Sequence, residues 1–161
     1  MITGETTSIR IYNAIKTTCL SIPEVKQFNL WNNQTQRQAA GGIQPVRYPA
    51  IFVQFENEYD QLSAGHQAIN GTFILYICLE SLKFEDEDIL RFKDNVYERL
   101  SHVLPKNGFG DFHRAFELQD TDHTNLIIWQ QEYQYSYIDD LGKDQTRSVH
   151  PFDVGYNISY E

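Results

Sequence analysis

Hydrophobic positions change their period several times along the chain, and each change marks an element. The longest apolar run is Phe73-Ile74-Leu75-Tyr76-Ile77-Cys78-Leu79, inside the stretch 70–80. It is rich in β-branched and aromatic residues, so it predicts a strand. Being apolar at consecutive rather than alternate positions, it predicts cover on both faces and a central place in a sheet. Helical spacing occurs twice. Ile11, Ile15, Cys19 and Ile22 lie on one face and predict a helix over 6–22, capped by Thr6, Thr7 or Ser8 and stopped by Pro23. Ile89, Phe92, Val96, Leu100 and Val103, widened by Leu90, Tyr97 and Leu104, predict a second helix over 86–104. The acidic run Glu85, Asp86, Glu87 and Asp88 suits its first turn, where unpaired N–H groups attract anions, and Pro105 with Gly108 ends it.

Alternation marks the remaining strands. Over 48–56, Ile51, Val53 and Phe55 oppose Phe52, Gln54 and Glu56, and the polar connection 57–68 then predicts an antiparallel pair joined by a long loop. A short edge strand is expected within 25–31. Two strands, 112–118 and 125–138, flank a polar turn at 119–124 and read as a hairpin. In the second, Ile127, Trp129, Tyr133, Tyr135 and Tyr137 share one face, opposite Gln130, Glu132, Gln134 and Ser136. The Gln-rich stretch 32–45 reads as a loop, either plain surface or a working loop ordered by a partner. After Asp140 a polar stretch leads to a last alternation at Phe152, Val154, Tyr156, Ile158 and Tyr160, which suits one more strand of the sheet or an arm on a neighbouring subunit. The predicted fold class is α+β: a mixed, largely antiparallel sheet covered by two helices, forming one domain over 1–140 with an extended C-terminal arm or strand over 141–161.

Composition narrows the function classes. A chain of 161 residues fits one core, and no apolar run reaches the ~20 residues of a membrane span. A net charge of −9, with Lys and Arg scattered singly, argues against a nucleic-acid reader or an anionic-membrane binder. The first residues carry neither a basic nor an apolar leader segment, so a non-secreted protein with Cys19 and Cys78 as reduced core thiols is expected. The best candidate for chemistry is the set Asp111, His113, Asp120, Asp122 and His123, whose carboxylates and imidazoles are hard and borderline metal donors. Three of these lie in the hairpin turn, where such residues are favoured by conformation alone. There is no phosphate loop, nucleophile elbow, CxxC or HExxH, so neither catalytic residues nor a metal or other cofactor are expected. Tyrosines on strand faces suit core packing at Tyr133 and Tyr135, and an interface at Tyr156 and Tyr160.

The order helix, loop, two strands, helix, two strands and arm resembles the tail terminator, or tail-completion, proteins of long-tailed bacteriophages. The resemblance lies in the helix ending at Ile22-Pro23-Glu24-Val25, the stretch Tyr48-Pro49-Ala50-Ile51-Phe52-Val53, the long strand, the helix 89–104 and the aromatic strand closing at 135–138. It covers most of 6–138 and rests on pattern, without a signature motif; the Gln-rich loop and the final arm depart from the compact pattern. The resemblance implies a non-enzymatic virion protein, assembled in the host cytoplasm. It would form a homo-oligomeric ring, typically a hexamer, that caps the tail tube protein and receives the head connector or neck protein. DNA would pass through the channel without specific binding. On that basis Gln34, Gln36, Arg37, Gln38, Gly41, Gly42, Asp120, Asp122 and His123 are expected at ring surfaces or the lumen. Tyr137, Phe152, Val154, Tyr156, Ile158 and Tyr160 are expected at a subunit contact. A head-closure or neck role fits the same pattern, and from a different class so does a small-molecule-binding or enzymatic α+β domain with an aromatic pocket.

Overall fold

A computed structural model of the chain describes residues 5–41 and 45–139. Its elements in order are α1 (Thr7–Leu20), β1 (Gln27–Leu30), α2 (Gln34–Ala39), β2 (Ala50–Ser63), β3 (His66–Glu80), α3 (Asp86–Val103), a 3-10 turn at Pro105–Asn107, β4 (Gly110–Asp120) and β5 (Leu126–Asp139). The strands form one sheet in the order β1-β2-β3-β5-β4, parallel between β1 and β2 and antiparallel elsewhere. The long apolar strand is therefore central, paired along nearly its whole length with β2 on one side and β5 on the other.

Both faces of β3 are covered at its apolar end, but by different means. On one face α1 brings Ile11, Ile15 and Cys19, and α3 brings Ile89, Val96 and Leu100, onto Ile51, Val53, Phe73, Leu75, Ile77 and Leu79. Thr6 caps α1 through its hydroxyl, which accepts from the Ile9 N–H at 3.2 Å. On the other face a smaller cluster of Val46, Ala50, Phe52, Cys78 and Ile128 is closed by Trp31, Tyr48 and Tyr76, with Trp31 stacked on Tyr76 at 4.1 Å between ring centres. Among the described residues, the helices cover the first face over the apolar half of the β2–β3 hairpin and leave Tyr59 half exposed beyond it, while the second face is dry where the chain between β1 and β2 crosses it.

Two loops expected from the sequence are regular structure. The connection read at 57–68 is the distal half of a hairpin: β2 runs to Ser63, β3 starts at His66, and Ala64-Gly65 makes the turn with Gly65 at φ 80°. Glu56, Glu58 and Asp60 alternate there with Phe55, Asn57 and Tyr59, and β5 supports the far side of β3 as far as Gln67 opposite Asp139. The Gln-rich stretch 32–45 contains the six-residue α2, which has no apolar stripe. It is held by side-chain amides: Gln34 Nε2 donates to Leu30 O at 2.6 Å, and Gln38 Oε1 accepts from Val46 N and the Tyr48 hydroxyl, each at 3.2 Å. The predicted arm, with Phe152, Val154, Tyr156, Ile158 and Tyr160, and the predicted boundary at 140 lie outside the described residues.

Candidate functional site

The open sheet face, opposite α1 and α3, is a graded surface. Strand register sets out its rows: Phe52, Tyr76, Gln130 and Leu118; then Gln54, Ile74, Glu132 and Phe116; then Glu56, Thr72, Gln134 and His113; then Glu58, Asn70, Ser136 and Gly110. The sequence from apolar to acidic rows continues to Asp60, which pairs with Ala68. No Lys or Arg occupies this face of the sheet among the described residues. A shallow depression of about 450 Å³ lies across the polar rows, bordered by Glu56, Glu58, Asp111, His113 and Glu132. Glu56 and Glu132 lie on strand faces that the sequence already marks as polar; Glu58 and Asp60 were hidden because 57–68 reads as a connection, and their signal is the alternation of Glu56, Glu58 and Asp60 with Phe55, Asn57 and Tyr59.

The candidate metal set does not converge. Asp111 and His113 lie toward one end of β4 and Asp120 at the other, about 30 Å and about 23 Å away respectively at ~3.3 Å per residue. Among the described residues no group of His, Cys, Asp and Glu can hold a metal ion. Each half has a local role instead. The Ser136 hydroxyl donates to Asp111 Oδ2 at 3.1 Å, and Asp111 O meets His113 Nδ1 at 2.8 Å beside a bulge. Asp120 Oδ1 accepts from the Asp122 N–H at 3.0 Å, folding the turn, and its Oδ2 lies 3.4 Å from His123 Nε2.

Both segments expected at ring surfaces occupy the same end of the sheet. Asp120 begins the row Asp120, Ile128, Cys78 and Ala50, which puts the turn with Asp122 and His123 at that end. Gln38 reaches the same end through Val46 and Tyr48 of the second cluster, carrying α2 with it. Gln36 and Arg37 are exposed and Gln34 and Gln38 partly buried, Gly41 follows the helix, and Gly42 lies outside the described residues. The Ala64-Gly65 turn and the end of β5 mark the opposite end.

The tyrosine face of β5 is core. Phe73, Phe112 and Tyr133 stack with ring centres 4.9 to 6.2 Å apart, and Phe109 meets Tyr135 and Tyr137 edge-on. Tyr137, expected at a subunit contact, is 6% exposed in the isolated chain, because the start of α1 covers it. Tyr135 crosses over Gly71, where a Cβ would lie 2.2 Å from its Cζ, and its hydroxyl donates to Asn57 Oδ1 at 2.8 Å. The aromatic wall is therefore filled by its own rings.

Beside it, α3 is latched to the β4–β5 edge by a charged network. The buried Lys93 ammonium donates to Glu117 Oε1 at 2.8 Å and Asp94 Oδ1 at 3.0 Å, over the Trp129 ring. Arg114 donates to Glu117 Oε2 at 3.0 Å and lies over Tyr97. Gln131, fully buried, donates to Glu117 Oε2 and to Lys93 O, and accepts from the Tyr133 hydroxyl. Desolvation opposes the charge on Lys93, but its hydrogen bonds to Glu117 and Asp94 hold the ammonium above its usual range. Desolvation opposes that of Asp94 too, and Lys93 and Arg114 hold its carboxyl below the usual range. Every charge here is answered within the chain, which marks a structural clamp.

An open groove of about 910 Å³ between α1 and α3 is lined by Arg10, Asn95, Glu98, Arg99 and His102 among others. Arg99 is engaged there by Asn95 and by the Ser21 hydroxyl at 2.9 Å. Comparison with protein-family models finds no match, and comparison with curated proteins finds no significant one.

Proposed function

We propose that the chain is a structural subunit of a ring at the head–tail junction of a long-tailed phage, acting as a tail terminator with no catalytic role. The observation that carries this reading is the open sheet face, exposed and acidic across its polar rows, without Lys or Arg among the described residues. Turned toward a channel, such a face repels phosphates and lets the duplex slide. The helical layer then faces outward. Placing α2 and the turn after Asp120 at one end of the sheet, and the Ala64-Gly65 turn at the other, offers separate surfaces to tube and connector. The runner-up, a domain with an aromatic ligand pocket, is less favoured because that aromatic wall is packed solid.

The test is light scattering of the purified chain, followed by electron microscopy with assembled tail tubes. The expected result is a ring, or attachment to one tube end only. A monomer that ignores tubes overturns the proposal. A second readout concerns charge: the triple variant E56K/E58K/E132K is expected to fold normally and to acquire salt-dependent DNA binding that the wild type lacks.

A further inference from the structure

We infer that the outer edge of β4 accepts residues 152–160 of a neighbouring copy as an added antiparallel strand; this rests on the ring reading above. β4 is the last strand of the sheet, 11 residues long, with its outer N–H and C=O groups facing no strand among the described residues. Such an edge is a template for another chain unless it is blunted. Here bulges between Gly110 and His113 and between Arg114 and Phe116 blunt the first half of the edge, and the regular stretch after them carries Phe116 at 56% and Leu118 at 48% exposure, side by side on the open face and flanked by Ile74 and Tyr76 two strands inward. A partner strand that covers them must be apolar on one face and polar on the other. Phe152, Val154, Tyr156, Ile158 and Tyr160, alternating with Asp153, Gly155, Asn157 and Ser159, have that pattern.

Reach argues for a neighbouring copy. Because Gly110 pairs with Ser136, β5 ends level with the start of β4. To run antiparallel along its own β4, the segment would have to begin beside Asp120, whose partner Ile128 lies eleven residues before Asp139, about 36 Å back at ~3.3 Å per residue. The linker 140–151 spans about 40 Å only when fully extended. The short route in the same chain gives parallel pairing, the less stable ladder. Donation to the next copy removes this limit. It is also a head-to-tail contact, the kind that closes into rings.

The test uses full chains and a complementation design. F116D/L118D destroys the accepting edge at exposed positions, and Y156D/I158D destroys the donated strand. Wild type is expected to oligomerise and each variant alone to be monomeric, with the wild-type melting temperature retained by F116D/L118D. An equimolar mixture is expected to form a dimer of twice the 18.8 kDa chain mass, since one intact edge and one intact strand remain. If wild type and both variants are all oligomeric, the strand assignment is overturned while the ring reading stands. Monomeric variants whose mixture stays monomeric overturn donation between copies. A wild type that is monomeric alone and on tail tubes overturns both.

Discussion

At Gly71 the side chain that is missing matters more than any that is present. Asn57, Gly71 and Tyr135 are direct partners across three strands, and the Tyr135 ring fills the space above the glycine to reach Asn57. G71A is expected to cost ~1–3 kcal/mol by forcing that ring aside, measured by urea denaturation, and Y135F about 1 kcal/mol for the lost hydrogen bond. Glu117 is the hinge of the charged clamp. E117A leaves Lys93 and Gln131 without a shared acceptor and is expected to cost ~1–3 kcal/mol, with E117Q milder because one acceptor oxygen remains. The pH dependence follows from shifts of known sign. Burial pushes the hydroxyls of Tyr48 and Tyr137 up to about 12, and Lys93 is also held above its usual range. These groups keep their protons in the folded chain after the unfolded chain has lost them, so stability present below ~10 is lost as pH rises toward about 12. Tyrosinate absorbance should therefore rise together with unfolding. Asp94 acts on the acid side: its contribution holds above the ordinary carboxylate range and falls away as pH drops through its lowered value.

At the scale of elements, what could be read from the sequence was what an apolar period announces. α1, α3 and the aromatic face of β5 each carry a stripe whose burial fixes their orientation, and the acidic first turn of α3 follows from its unpaired N–H groups. The distal half of the β2–β3 hairpin carries no such stripe, since Glu56, Glu58, Asp60 and Gln61 are all exposed. It is a strand because β5 extends alongside β3. α2 was invisible for a different reason: its anchors are amide hydrogen bonds, which leave no mark in hydropathy. Gln131 was equally unreadable, a fully buried polar side chain on an apolar face whose partners come from α3 and β4. Q38A is accordingly expected to speed amide exchange across Gln34–Ala39 while moving the melting temperature little, because the main core does not include this helix.

For the molecule as a whole, the two ends of the sheet differ in how they are held. At the Cys78 end both faces are dry, and both thiols, pushed up by burial, should resist thiol reagents until the chain unfolds. At the other end β2 has, among the described residues, a neighbour on one side only, since β1 stops at Leu30 opposite Val53. The sheet therefore resembles a zipper fixed at one end, with its slider at Ala64-Gly65. Breathing should begin at that turn, peel β2 from β3 and stall where Tyr135 bolts Asn57 across Gly71. In hydrogen exchange, amides at 58–66 should label first and those of Phe73 to Leu79 last, and Y135F should let the opening run further toward the core.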